Sequence, residues 1–76
     1  MLILYTKNNC PYCDKVKNVF LEQSVSYEER DIKNPEFLKE IKLHHAKTVP
    51  FLVDTQANVA IGESDEIIDY VSEYAF

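Results

Sequence analysis

Leu2-Ile3-Leu4-Tyr5 is an unbroken apolar run near the start of the chain, the pattern of a short buried strand. Thr6-Lys7-Asn8-Asn9 is polar and turn-prone. Pro11 suits a first helical position, where its missing N–H has no partner to lose. Cys13, Val16, Val19 and Phe20 then recur at helical spacing, which predicts a helix over 11–23 with one face inward. Val25 and Tyr27 alternate with Ser26 and Glu28 and predict a second strand that is wet on one side. Asn34-Pro35-Glu36 reads as N-cap, first helical residue and an acid favoured by the helix dipole. Phe37, Ile41 and His44 or His45 continue that helix. Thr48-Val49-Pro50-Phe51-Leu52-Val53 is strand-like, but Pro50 cannot donate to a ladder and belongs at an edge or at the strand's first residue. Thr55-Gln56-Ala57-Asn58 is a turn, Val59-Ala60-Ile61 a fourth strand and Gly62 the break after it. Ser64 is the expected cap of a last helix, with Asp65 and Glu66 in its first turn and Ile67, Ile68, Val71 and Tyr74 inward.

The order is β-α-β-α-β-β-α. A helix joins the first two strands, which favours a parallel pair with a right-handed crossover. A short turn joins the last two, which makes them an antiparallel hairpin. The expected class is α/β, a mixed four-stranded sheet flanked by three helices. Its 76 residues leave no room for a second core, so residues 1–76 are expected to form one domain.

A chain this short buries only about 60% of the surface its unfolded form exposes, yet 46% of its residues are hydrophobic, enough for a compact core. Net charge is −5 and unevenly placed. Residues 1–47 carry eight basic and seven acidic residues, whereas 48–76 carry no base and six acids. Such a chain lacks the clustered basic face that phosphate neutralisation needs, so no nucleic-acid partner is expected. The acidic stretch reads as a solvated helix face. Met1–Tyr5 is too short for a signal-peptide core, and no segment approaches a membrane span. Two cysteines three residues apart close too small a loop to act as a structural staple, and small secreted domains use more. The expected setting is the reducing cytoplasm, with no membrane partner and the chain acting as a monomer.

Cys10-Pro11-Tyr12-Cys13 follows the strand and polar turn and opens the helix. Cys10 thereby takes the N-cap, where unpaired N–H groups and the dipole's positive end favour a thiolate. Lys7 adds a nearby positive charge. Cysteines so placed have pKa values lowered from about 8.5 to roughly 3.5–7.5. At a pKa of ~5 the thiolate fraction at neutral pH rises about 30-fold over an ordinary cysteine. Nucleophilicity falls about 40-fold over the same shift, at a Brønsted slope of ~0.45. The two nearly cancel. The gain lies in Cys10 as a leaving group, because a low-pKa thiolate departs quickly. Cys13, one turn in, is shielded and suited to resolving. A zinc site needs four ligands, and His44 and His45 are the remaining candidates. Neighbours on a helix point about 100° apart, so no metal is expected and the histidines read as ordinary residues near a helix end.

At these residues the chain resembles a known family. Tyr5-Thr6-Lys7 followed by Cys10-Pro11-Tyr12-Cys13 is similar to the dithiol glutaredoxin active site. Thr48-Val49-Pro50 resembles that family's Thr-Val-Pro segment, and Ile61-Gly62-Glu63-Ser64-Asp65 its Gly-Gly-Cys/Ser-Asp segment. The motifs fall in family order and span nearly the whole chain. The resemblance implies a thioredoxin-like fold, a cis peptide before Pro50, and catalytic Cys10 and Cys13. It further implies glutathione as co-substrate, held by Lys7, Tyr12, Thr48, Val49, Pro50, Gly62, Ser64 and Asp65. The backbone of Val49 would pair with the tripeptide, Lys7 would lie near its glycyl carboxylate, and Ser64 and Asp65 would hold its γ-glutamyl end. Two departures stand out. Glu63 replaces a second Gly and adds negative charge beside an anionic ligand; Phe51 stands where the family often has a polar or basic residue, and both are expected to weaken glutathione binding.

The implied activity is reduction of protein disulfides and of glutathione mixed disulfides, with disulfide-containing or glutathionylated proteins as partners. Two alternatives stay open at this stage: a redoxin reduced by thioredoxin reductase, and an iron–sulfur or metal-binding module, against which Pro11 argues.

Overall fold

Alternation along β1 (Leu2–Thr6) divides the molecule into two layers. In the computed structural model, which describes residues 1–73, Leu2 and Leu4 face one side of the sheet and Ile3 and Tyr5 the other. Both sides are covered, which is why the opening run is apolar throughout. The remaining elements are α1 (Pro11–Glu22), β2 (Glu28–Asp31), α2 (Pro35–Leu43), β3 (Phe51–Asp54), β4 (Val59–Ile61) and α3 (Ser64–Glu73). The sheet order is β2-β1-β3-β4, with β1 and β2 parallel and both other pairings antiparallel. This is the expected mixed α/β sheet with three helices.

Val16 and Phe20 of α1 and Ile67 and Val71 of α3 close the core over Leu2, Leu4 and Leu52. On the opposite face Ile41 of α2 packs with Ile3, Tyr5 and Phe51. Tyr74, expected to point inward, lies outside the described residues. No helix among the described residues is long and apolar enough to cross a membrane.

Three expectations are corrected. The second strand begins at Glu28 and runs to Asp31, not over 25–28. Val25 and Tyr27 do alternate in burial with Ser26, but they finish the turn out of α1 instead of pairing. Ser24 takes a left-handed φ of 55°, and the Val25 N–H then donates to the Phe20 carbonyl at 2.8 Å. The Tyr27 ring meets Phe20 edge-on, 4.9 Å between centroids. The true strand, Glu-Glu-Arg-Asp, is polar because it is an outer edge, where charge discourages pairing with another chain. Its side chains are tied down individually. Thr6 Oγ1 donates to Glu29 at 2.8 Å, and Arg30 reaches Glu28 and, at 2.7 Å, Glu40 of α2.

The third strand begins at Phe51, not Thr48. It is an interior strand, so Pro50, which lacks the N–H a ladder requires, falls immediately before it. The third correction concerns Ser64, which is the first residue of α3 and not its cap: the Ile67 N–H donates to the Glu63 carbonyl at 2.9 Å, which puts the cap position on Glu63.

The turn after β3 depends on one buried carboxylate. Asp54, 5% exposed, accepts from the Gln56 and Ala57 N–H groups and, at 2.7 Å, from the Tyr70 hydroxyl of α3. The Tyr70 hydrogen bond, with the two turn N–H groups behind it, holds the Asp54 carboxyl below its ordinary pKa. A depressed folded pKa means stability that is present above the unfolded value, about 3.9, and lost as pH falls through the folded one. Asp54→Asn is therefore expected to cost about 1–3 kcal/mol at pH 7 and to flatten the loss of stability in acid. Urea unfolding from pH 7 to pH 3 checks both; an unchanged acid limb in the variant contradicts the assignment.

Candidate active site

Pairing register brings three segments to one end of the sheet. Tyr5 of β1 lies opposite Phe51, and Leu52 opposite Ile61. The chain leaving β1, the chain entering β3 and the chain leaving β4 thus converge. They deliver Lys7–Cys10, Thr48–Pro50 and Gly62–Asp65 to a single groove.

Asn9, at a left-handed φ of 55°, turns the chain into α1. Asparagine tolerates this conformation better than most residues. Cys10 follows in extended conformation as the N-cap, its carbonyl accepting from the Asp14 N–H at 3.0 Å and its sulfur from the Cys13 N–H at 3.2 Å. A sulfur thus occupies the place of the usual capping oxygen. Cys10 and Cys13 are joined as a disulfide, their Cα atoms 5.2 Å apart. Cys10 keeps 5% exposure and Cys13 none. Cys10 Sγ also lies 4.0 Å from the carbonyl oxygen of Val49, and the Val49–Pro50 peptide is cis.

Two hollows open on either side of Tyr12, Thr48 and Val49. The first, about 390 Å³, reaches Lys7 and Cys10 and is floored by Ile32, Leu38 and Ile41. The second, about 440 Å³, is lined by Pro50, Gly62, Ser64 and Asp65 together with Glu63. Of the residues expected to act on or hold a ligand, Cys10, Lys7, Tyr12, Thr48, Val49, Pro50, Gly62, Ser64 and Asp65 line one or both, and Cys13 sits behind Cys10.

The structure also places residues that the sequence reading did not connect with the site. Lys15 of α1 pairs with Asp65 of α3 at 2.9 Å, and this hydrogen bond raises the Lys15 pKa. The partners are fifty residues apart, so no local pattern announces them. Lys42 and Lys47 join Lys7 along the first hollow. None of these three lysines has a carboxylate partner among the described residues, nor has Glu63 a cationic one. The hollows therefore carry opposite charge. Phe51 is no part of either. It is buried with its ring against Tyr5 and His44, and a Cβ at Gly62 would stand 3.5 Å from that ring. Phe51 thus supports the groove from beneath. His44 caps the end of α2 and His45 follows at a φ of 59°.

Residues 4–75 match the family of glutathione S-transferase N-terminal domains. Glutaredoxin 1 of Rickettsia felis is 35% identical over 79 aligned residues, covering 95% of this chain and 72% of the relative. Among solved structures, the glutaredoxin-like NrdH-redoxin of Escherichia coli superposes with a TM-score of 0.75 at 17% identity, over 87% of this chain and 88% of its own. Glutaredoxin 2 of Salmonella typhimurium, solved in complex with glutathione, gives 0.75 at 23% identity, over 96% of this chain and 33% of its own. The fold is thioredoxin-like.

The burial difference between the sulfurs predicts their order of reaction. After reduction, iodoacetamide is expected to label Cys10 at least about tenfold faster than Cys13, because the outer thiol is also the one activated by the helix start. Mass-spectrometric time courses of the native protein check this, and equal rates contradict it.

Proposed function

The chain belongs to the glutaredoxin family, and over 4–75 to the domain family of glutathione S-transferase N-termini, and we propose that this thiol–disulfide oxidoreductase takes its electrons from glutathione. The observation that carries the reading is the sulfur of Cys10 as N-cap of α1, accepting from a helix N–H and opening on a groove. A thiolate there is stabilised by the same donors that stabilise a capping carboxylate.

In the proposed cycle the Cys10 thiolate attacks the glutathione sulfur of a protein–glutathione mixed disulfide. The protein leaves as a thiolate and Cys10 keeps the glutathionyl group. A second glutathione thiolate attacks the glutathionyl sulfur, releasing glutathione disulfide and restoring the Cys10 thiolate. For a protein disulfide, Cys10 forms the mixed disulfide and the Cys13 thiolate displaces the substrate sulfur, leaving the Cys10–Cys13 disulfide for two glutathiones to reduce. The tripeptide would lie across Val49 and Pro50, with its glycyl carboxylate toward Lys7 and its γ-glutamyl end toward Ser64 and Asp65. Tyr12, Thr48 and Gly62 would line its path. The free N–H groups at the start of α3 suit its carboxylate. Support for this seat comes from the two contiguous hollows and from the Salmonella glutaredoxin of the same fold, solved with glutathione. The same reading makes the protein a cytoplasmic monomer of one domain, acting on disulfide-bonded or glutathionylated proteins without a metal.

One observation favours a second reading, reduction by thioredoxin reductase. Asp65 already holds Lys15, and Glu63, which has no cationic partner among the described residues, adds a negative charge to the γ-glutamyl seat. The first competes with the glutamyl ammonium for its acceptor, and the second repels the tripeptide's carboxylate. Turnover with glutathione and glutathione reductase, compared with turnover on thioredoxin reductase, separates the two. The glutathione reading expects the first system to be faster, and turnover on thioredoxin reductase alone contradicts it.

The division of labour between the cysteines gives a second test. Cys13→Ser is expected to keep most deglutathionylation activity and lose reduction of protein disulfides. Cys10→Ser is expected to lose both by a factor of at least about 10³, as removal of a nucleophile does. Equal loss in the two variants, read with a glutathionylated peptide, overturns the role assignment.

A further inference from the structure

The two hollows beside Cys10 differ in sign and in texture. The first combines Lys7, Lys42 and Lys47 with the apolar floor of Ile32, Leu38 and Ile41. The second presents Glu63, which has no cationic partner among the described residues, beside an Asp65 that Lys15 already neutralises. The chain running between them has a direction. Lys47 lies in the first hollow, Thr48 and Val49 border both, and Pro50 lies in the second. Val49 precedes β3, so its N–H and C=O stand outside the sheet ladder.

A single residue offers both backbone groups to one partner residue only in an antiparallel pair; parallel pairing spreads the two bonds over different residues and needs a longer strand. An extended peptide docked on Val49 therefore runs from the second hollow to the first. Its residues before the attacked cysteine meet Glu63, and those after it meet the apolar floor and then the lysines.

We propose that this groove reads charge order along the polypeptide of its disulfide substrate, taking a basic residue before the cysteine and an apolar then an acidic residue after it. The inference rests on the oxidoreductase reading and on docking at Val49, and it assigns a purpose to Glu63, the residue that departs from the resembling family's second Gly. The occupant is a segment of a protein substrate, and the chemistry is the two-electron exchange already described. Cys10 attacks the peptide sulfur, the other half of the disulfide leaves as a thiolate, and Cys13 then displaces the peptide.

The test uses pre-reduced protein in single turnover, so that no external reductant enters. Its substrates are symmetric disulfide dimers of two capped pentapeptides of equal composition, Lys-Ala-Cys-Leu-Glu and Glu-Leu-Cys-Ala-Lys, with bis(2-hydroxyethyl) disulfide as an uncharged reference. The lysine-first dimer is expected to react roughly threefold to tenfold faster at low ionic strength. The preference should collapse in about 0.5 M salt, where screening is nearly complete over such distances. Lys42→Glu should narrow it, and Lys42→Glu combined with Glu63→Lys, which leaves the two hollows with equal charge, should abolish it. Equal rates, or a preference for the opposite order, with all three disulfides still reduced, overturn the charge-order inference alone. Failure to reduce any of them, the uncharged reference included, removes the oxidoreductase reading and this inference with it.

Discussion

Function in this molecule turns on one hydrogen bond, from the Cys13 N–H to the sulfur of Cys10. Helices begin with backbone donors that nothing inside the helix can satisfy. Most proteins supply an oxygen there. Here the chain supplies a thiol, and the residue that fixes the start, Pro11, stands directly behind it. The left-handed turn at Asn9 sets the cap residue in extended conformation, so the geometry that completes α1 is also the geometry that presents the sulfur. Stability and chemistry share one contact.

The sheet makes that contact useful. A parallel β1–β2 pair and the β3–β4 hairpin leave three chain ends together, and the Cys10 turn, the Val49–Pro50 peptide and the start of α3 meet as a result. Because both faces of β1 are buried, this end of the sheet is held from two sides. The groove is thus framed by the ends of packed strands and helices, with long exposed side chains such as Lys42 and Glu63 along it. Charge on those side chains varies at little cost to the fold, and that freedom is what the charge-order inference exploits.

Much of this was legible in the sequence because the signals were local. Pro11 after Cys10, and Pro35 after Asn34, mark helix starts by backbone chemistry alone, and both lie where expected. The β3–β4 hairpin followed from a short turn between apolar runs. What was misread depended on partners far along the chain. The alternation at Val25–Tyr27 was real, but it serves the exit from α1, while the polar Glu28–Asp31 segment became a strand only because β1 lies beside it. Ser64 has the residue type of a cap, yet the cap falls one position earlier, on Glu63. Lys15 and Asp65 meet across fifty residues, and the three lysines of the first hollow come from three separate segments.

The central claim is that the start of α1 keeps Cys10 ionised at neutral pH. The direct measurement is an ultraviolet thiolate titration of reduced protein carrying Cys13→Ser, so that one sulfur is read alone. Ionisation nearly complete by pH 7, which requires a midpoint at least about 2.5 units below the ordinary cysteine value near 8.5, is the predicted result. A midpoint at or above about 7 would contradict the account, because a protonated cap sulfur is neither the nucleophile nor the leaving group the groove requires.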